Sequence, residues 1–357
     1  MDYPRRQALV AAQLGKSVDA LLVTHLPNVR YLCGFTGSSG VLLVKGNTAV
    51  LFTDGRYTAQ ARNQVQAARV VIGKGSPLLA AAQVVQRRKL RKIGIEGEHL
   101  TVSAQAALRK ALGTGTRLLS VTGAVEKLRM IKDAEEVARI RAAVDLGATL
   151  LDTALQSIRP GVKETEVAAE LEYAARRAGA EAMSFATIVA SGARSAMPHG
   201  AASVAPIPAR GFVVLDFGVI LHGYCSDMTR TVHVGKSSAG DRRMYEAVRE
   251  AQQAAIDAVR AGVASGQVDR AARSRLRQAG LARHFTHSTG HGVGLEIHEP
   301  PRIARGQREP LQAGMIVTIE PGAYVADRGG VRIEDMVLVT DTGCEVLTPA
   351  PKDFIEL

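Results

Sequence analysis

The sequence predicts two domains, an α/β unit followed by a larger α+β unit. Three observations carry that expectation. The chain has 357 residues, more than one ordinary domain needs and comfortable for two. Helical and strand-like patterns alternate through roughly the first third of the chain. From about residue 183 the texture changes to short strands with Gly-rich turns, interrupted by blocks of helix.

In the first unit, residues 5–15 read as helix and 20–24 as a short strand, followed by a turn through Pro27-Asn28. Apolar runs at 41–44 and 48–53 flank Lys45-Gly46-Asn47, a hairpin signature. A helix over 56–68, a strand, a helix over 78–88 and a strand over 92–96 complete the alternation. His25, Asp54, Glu96 and His99 share no ligand spacing. Lys132-Asp133-Ala134-Glu135-Glu136 then opens a helical pattern reaching about residue 155, stopped by Arg159-Pro160-Gly161. The boundary is placed near Gly123, separating domains 1–123 and 124–357. A helix over 165–177, with a weak capping box at Thr165, ends at Gly179, and further helical regions cover 242–260 and 268–278.

Composition narrows the function classes. The net charge of +11 raises nucleic-acid binding, but the arginines are scattered through Ala-rich helical segments where charge faces water, and no aromatic-basic stacking motif accompanies them. No nucleic-acid partner is therefore expected. No apolar window is long enough to span a bilayer, and the opening residues are too polar for a signal peptide, so no membrane partner is expected either. Cys33, Cys225 and Cys344 are dispersed and form no CxxC pair, which fits a reducing, cytoplasmic setting.

The chemistry concentrates in the second unit. Asp216 interrupts the apolar run Val213-Val214-Leu215-Asp216-Phe217, and Asp227 follows in Ser226-Asp227-Met228-Thr229. A turn at Leu221-His222-Gly223 sets the two nearly opposite each other, and like charges so close need a compensating cation. Glu320 ends the run Ile316-Val317-Thr318-Ile319, Glu334 sits in Val331-Arg332-Ile333-Glu334, and a loop through Asp327-Arg328-Gly329 reunites them. His291 lies between the pairs in Gly290-His291-Gly292, whose glycines allow a tight turn. Four carboxylates and one imidazole suit manganese, cobalt, iron or zinc in a two-metal arrangement better than a structural zinc site. Each residue alone is compatible with a structural role; two pairs and a histidine in one domain are not. His199 and His298, both in loops, add candidate proton donors.

The order Asp216, Asp227, His291, Glu320, Glu334, set in DFG, SDMTRT, HSTGHGVGLEIHEPP, TIEPG and GVRIEDM, resembles the proline-selective branch of the pita-bread metallopeptidases, aminopeptidase P and prolidase. The segments from His25 to Leu32 and from Phe52 to Arg56 resemble the creatinase-type α/β domain, so the resemblance spans the chain. It implies a creatinase-like α/β N-terminal domain and an α+β pita-bread catalytic domain. It also implies two divalent ions, manganese first with cobalt or zinc as alternatives, and a homodimer. By the resemblance Asp216 and Asp227 share one ion, Asp227 bridging; His291 completes the other's ligands, and Glu320 and Glu334 supply the remaining oxygens. Arg332 bonds to the site from behind, His199 and His298 contact the substrate carbonyl and leaving group, and His287 lines the proline pocket. Arg302 resembles a position that small prolidases use for the dipeptide carboxylate. The implied reaction is hydrolysis of the bond preceding proline in Xaa-Pro peptides or dipeptides, by a metal-bridging hydroxide with Glu320 taking up a proton. An inactive peptidase-like binding protein and a creatinase-type C–N hydrolase are the rival readings; the complete ligand set weighs against both.

Overall fold

The computed structural model describes all residues, Met1–Leu357. They divide into two compact units, Met1–Arg129 and Met130–Leu357.

The first unit contains the strands β1 Ala20–Val23, β2 Val41–Lys45, β3 Thr48–Asp54, β4 Arg69–Gly73, β5 Lys92–Glu96 and β6 Arg117–Val121. They form one sheet in the order β4-β3-β2-β1-β5-β6. The helices are α1 Tyr3–Leu14, α2 Leu26–Cys33, α3 Thr58–Gln64, α4 Pro77–Arg87, α5 Val102–Leu112 and α6 Glu126–Arg129. The expected hairpin is present, but Lys45 pairs with Thr48, so its turn is the two residues Gly46-Asn47, with Gly46 in the left-handed region at φ 53°.

Two local expectations are corrected. Pro27-Asn28 is no turn but the first turn of α2, where proline's missing N–H is an orphan in any case. The expected helix over 56–68 is a 3₁₀ turn, Gly55–Tyr57, followed by the shorter α3, because Val65 is extended. The unforeseen α5 starts at Thr101, whose hydroxyl accepts from the Ala104 N–H. The buried Glu96 is structural: it accepts from Thr24 N–H, His25 N–H and the Asn28 amide, pinning the entry to α2. Asn28 also bonds to Glu126 and Arg129, which holds residues 124–129, beyond Gly123, in this unit. Glu98, His99 and Glu126 approach one another here, with His99 and Glu126 paired at 3.0 Å.

The second unit opens with α7 Ala134–Ser157, started by an Asp133–Glu136 capping box, and α8 Glu164–Arg177. Thr165 is not the cap; Glu166 reaches back instead to the Lys163 N–H. The strands that follow are β7 Ala182–Met183, β8 Ile188–Ser191, β9 Gly211–Phe217, β10 Val219–Leu221, β11 Tyr224–Cys225 and β12 Met228–Val234. Then come α9 Ala239–Asp257 and α10 Ser265–Gln278, each beginning three residues before the expected helix. The remaining strands are β13 Gly290–Gly292, β14 Glu299–Ile303, β15 Ile316–Ile319, β16 Gly322–Val325, β17 Gly329–Arg332, β18 Asp335–Val339 and β19 Cys344–Val346. No helix is long and apolar enough to cross a membrane.

One arrangement occurs twice in this unit. Leu150, Leu151, Val167 and Leu171 of α7 and α8 pack on Val213, Leu215, Phe217, Met228 and Val232 of the sheet β12-β9-β8. Met244, Val248, Val268 and Leu276 of α9 and α10 pack likewise on Val317, Ile319, Val337 and Val339 of the sheet β14-β13-β15-β18-β19. Side chains alternate across a strand. Residues 216, 227 and 229 therefore lie on the face of the first sheet turned away from its helices, and 318, 320, 334 and 336 on the corresponding face of the second.

The buried Arg230 ties this unit together. Its guanidinium donates to the carbonyls of Thr229 and Glu334, to Asp335 Oδ1 and to the carbonyls of Ala350 and Pro351. Removing it leaves Asp335 paired with Lys352 and Gln252 but strands the four carbonyls it serves, a cost on the order of 3 kcal/mol. Arg230→Met is accordingly expected to destabilise this unit by about that amount in denaturant titrations.

Candidate metal centre

Asp216 is the penultimate residue of β9, and Asp227 directly precedes β12. The register sets Asp216 opposite Thr229 rather than Asp227, which corrects the expectation of near-opposed aspartates. The intervening chain does turn at His222-Gly223, but it does so in a separate β10–β11 ribbon. The two-residue offset leaves both aspartates on one face as diagonal neighbours. Ile319 pairs with Asp335, so Glu320 and Glu334 follow as the next opposed positions, just where both strands leave this sheet. Glu334 is thus in the break between β17 and β18, not inside a strand, and the turn at residues 326–328 joins β16 to β17.

His291 belongs to β13, flanked by β14 and β15, and not to a tight turn. Its neighbouring glycines serve close approach. A Cβ on Gly290 would lie 1.9 Å from the Thr318 carbonyl oxygen, and one on Gly292 2.3 Å from that of Pro300. The His291 N–H donates to Thr318 Oγ1, which holds the backbone in place.

The structure brings His199, Asp216, Asp227, His287, His291, His298, Arg302, Glu320, Arg332 and Glu334 to a single cleft of about 950 Å³. Asp227, His291 and Glu334 offer ligand atoms within 4.8 Å of one another. Asp227 Oδ2 is 3.6 Å and Glu320 Oε1 3.7 Å from His291 Nε2. His199, His298 and Arg302 lie at the exposed side of the cleft.

The electrostatics are those of crowded acid. Burial first, then the charges of Glu334, Asp216 and Glu320, push the Asp227 carboxyl well above the usual carboxylate range. Burial, with Glu320 and Asp216, does the same to Glu334. Glu320 is raised to about 8 by burial, assisted by Asp216 and opposed by Arg332. Arg332 is the cation the cluster has in common: it donates to Asp216 at 2.5 Å, to Thr229 Oγ1 and to the Tyr324 hydroxyl. Thr229 in turn donates to Glu334 at 2.6 Å, linking the two sheets.

Divalent cations fit this donor set. Asp216 Oδ1 and Asp227 Oδ1 are buried without a hydrogen-bond partner, a state carboxylate oxygens tolerate when a cation takes their lone pairs. Burial lowers the His291 pKa to about 4, so the ring is neutral. Its Nδ1–H donates to the Gly292 carbonyl at 3.0 Å, so Nε2 presents a lone pair towards two carboxylate oxygens too distant to be hydrogen-bonded. A cation between them removes that conflict.

Tyr324 is a residue that sequence reasoning missed. Its hydroxyl lies 2.8 Å from His287 Nε2 and accepts from Arg332. Burial lowers His287 to about 3, and its Nδ1 faces the Ser288 carbonyl, so Nδ1 carries the proton and Nε2 accepts from Tyr324. Both ring nitrogens are engaged internally, which leaves an apolar ring, edge-on to Phe285, to line the cleft. The only sequence cue to Tyr324 is its position four residues after Glu320.

Comparison with known proteins follows the same lines. Residues 138–341 match Metallopeptidase family M24, and residues 5–131 match the Creatinase/Prolidase N-terminal domain. The structure superposes on an Xaa-Pro dipeptidase from Bacillus anthracis with a TM-score of 0.96 at 39% identity, covering 100% of both chains. It superposes on an X-Pro aminopeptidase from Thermotoga maritima with a TM-score of 0.89 at 37% identity, covering 96% of this chain and 98% of that one. A Pyrococcus horikoshii Xaa-Pro dipeptidase is 35% identical over 340 residues, 95% of each chain.

The raised carboxyls predict an inverted pH dependence in metal-free protein. Folded Glu320 holds its proton to about pH 8 against 4.5 for the ordinary group, so its contribution to stability is complete below 4.5 and is lost as pH rises through 8. Asp227 and Glu334 act in the same direction. Chelator-treated protein should melt at a lower temperature at about pH 9 than at about pH 6, and divalent metal should reverse that order, since its ligands bind deprotonated. Differential scanning fluorimetry at the two pH values reads the sign.

Proposed function

The chain belongs to metallopeptidase family M24, and from that we propose that it is a metal-dependent peptidase hydrolysing the bond that precedes proline in Xaa-Pro substrates. The observation that carries this reading is the convergence of four carboxylates and a neutral imidazole with a free Nε2, in a cleft whose wall includes an apolar histidine face.

Asp216, Asp227, His291, Glu320 and Glu334 would hold two divalent ions, with Asp227 the residue assigned to both. Manganese is our first assignment, with cobalt or zinc able to serve, because the donors are mainly oxygen. When bound, the ions supply Lewis acidity towards the scissile carbonyl and acidify water. The remaining work falls to the chain. Glu320, whose carboxyl titrates near 8 in the metal-free protein, takes the proton of the attacking water and delivers it to the departing proline nitrogen. Burial lowers the pKa of His298, so this ring is neutral and donates a hydrogen bond to the carbonyl oxygen as charge develops there. His199, which lines the same cleft, is the second contact to the reacting groups.

Proline selectivity follows from what the wall does not offer. The bond before proline is a tertiary amide with no N–H to donate, and its ring needs an apolar surface. His287, with both nitrogens already engaged, provides such a surface and makes no demand for a donor. Arg302 pairs with His291 in the β13–β14 register and so projects from the same face of that sheet, at the cleft's exposed side. We assign it to the carboxylate of a dipeptide, which makes the enzyme a dipeptidase in preference to an aminopeptidase acting on long chains. Its three free cysteines fit a cytoplasmic protein. A homodimer follows the family resemblance, and the scattered arginines favour neither nucleic acid nor membrane as a partner.

Two measurements test this reading. Asp227→Ala is expected to lose bound metal by elemental analysis and to lose turnover of Xaa-Pro dipeptides; retention of full turnover by stripped Asp227→Ala protein contradicts it. Arg302→Ala is expected to raise KM for a free Xaa-Pro dipeptide by about tenfold, equivalent to about 1.4 kcal/mol, and to leave the C-terminal amide unchanged. Equal effects on both substrates remove Arg302 from carboxylate recognition.

A further inference from the structure

Glu164 is fully buried at the first position of α8, and nothing in the proposed reaction uses it. Its carboxylate nevertheless collects more donors than any carboxylate in the cleft. Oε1 accepts from the Ser191 N–H and hydroxyl, both at 2.8 Å. Oε2 accepts from the Ser203 N–H at 3.1 Å and hydroxyl at 2.7 Å. Arg194 Nε donates to both oxygens, at 3.3 and 3.0 Å, and its Nη2 donates to the Ala201 carbonyl.

These donors come from the two ends of one segment. Ser191 closes β8, Ser203 lies twelve positions later, and Pro198 and His199 stand between them at the cleft. The middle of the segment is held from the other side, where the Gly330 N–H donates to Ser195 Oγ and Arg332 Nη1 donates to the Pro198 carbonyl. His199 itself is exposed, in a local turn where its carbonyl accepts from the Ala201 N–H and the Met197 carbonyl from the Gly200 N–H. The imidazole is therefore carried by a segment anchored at its middle by Gly330 and Arg332 and at its two ends by Glu164.

We propose that Glu164 is the positioning residue for His199, a staple that fixes both ends of the 191–203 segment so that the imidazole meets the substrate. The proposal rests on the reading of His199 as a substrate contact. It requires that Glu164 act on turnover through His199 and leave the metal ligands alone. Misplacing a reacting group by about 1 Å can reduce rates on the order of 100-fold.

The test is a double-mutant cycle on the metal-loaded full chain with an Xaa-Pro dipeptide, using E164A, H199A and the double variant. E164A is expected to lower kcat/KM by roughly 30- to 100-fold with bound metal at the wild-type level, and the double variant to match H199A within about threefold. Amide hydrogen exchange across 191–203 is expected to speed up in E164A whatever the substrate. Losses that multiply in the double variant, or an E164A enzyme within about threefold of wild type, overturn the proposal. If E164A does not accumulate as folded protein, S203A, which deletes one hydroxyl, is expected to lower kcat/KM about threefold in the wild-type background and not at all beside H199A; a loss in both overturns it. Wild-type protein that leaves Xaa-Pro dipeptides intact refutes the functional reading instead, which the exchange data separate from a failure of the staple.

Discussion

Asp216, Asp227, Glu320 and Glu334 crowd into one buried space, and the rest of the second unit is arranged around the repulsion this creates. The strands that carry them are committed on their other faces to helix packing: Leu215 and Phe217 to α7 and α8, Ile319 and Val337 to α9 and α10. Pleating then sends the carboxylates the other way, towards each other. A hydrophobic core worth many kilocalories fixes where the charges sit. Hydrogen bonds from Thr229 and Arg332 relieve part of the conflict, but two buried oxygens remain without partners. What a divalent cation gains at such a site is the relief of strain that folding has already imposed, which links metal binding to stability as well as to chemistry.

The same interlocking explains the neutral histidines. His287 and His291 both donate from Nδ1 to a nearby carbonyl, and in both that bond decides what Nε2 can do. In His291 Nε2 makes no hydrogen bond; in His287 it is claimed by Tyr324. Two imidazoles four residues apart thus present different faces to the cleft because of one hydroxyl on β16, and the proposed roles of ligand and wall rest on that difference.

The acids were legible in the sequence where the strands are buried on both faces. Such strands read as unbroken apolar runs, and Asp216 within Val213–Phe217 and Glu320 directly after Ile316–Ile319 stand out from their neighbours. Register was not legible: the β10–β11 ribbon displaces Asp227 by two residues from the position opposite Asp216, and only the pairing shows it. The glycines around His291 were visible but their purpose was not, since a sequence does not show that the Thr318 and Pro300 carbonyls press against them. Pro27-Asn28 carries turn chemistry that also suits a helix start, and it took Glu96, sixty-eight positions from Asn28, to decide between them. Tyr324 and Glu164 escaped because nothing local distinguishes them; their partners are brought in by the fold. The twofold repeat of helix pair upon sheet escaped for a related reason, since all its halves need in common is an apolar face and two acids.

The account's central claim is that two cations occupy the space between those four carboxylates and His291. Anomalous diffraction from crystals reconstituted with manganese or zinc tests it most directly. The account predicts two peaks per chain, about 3.5–4 Å apart, with Asp227 reaching both. Peaks in separate pockets, or none beside His291, would contradict it.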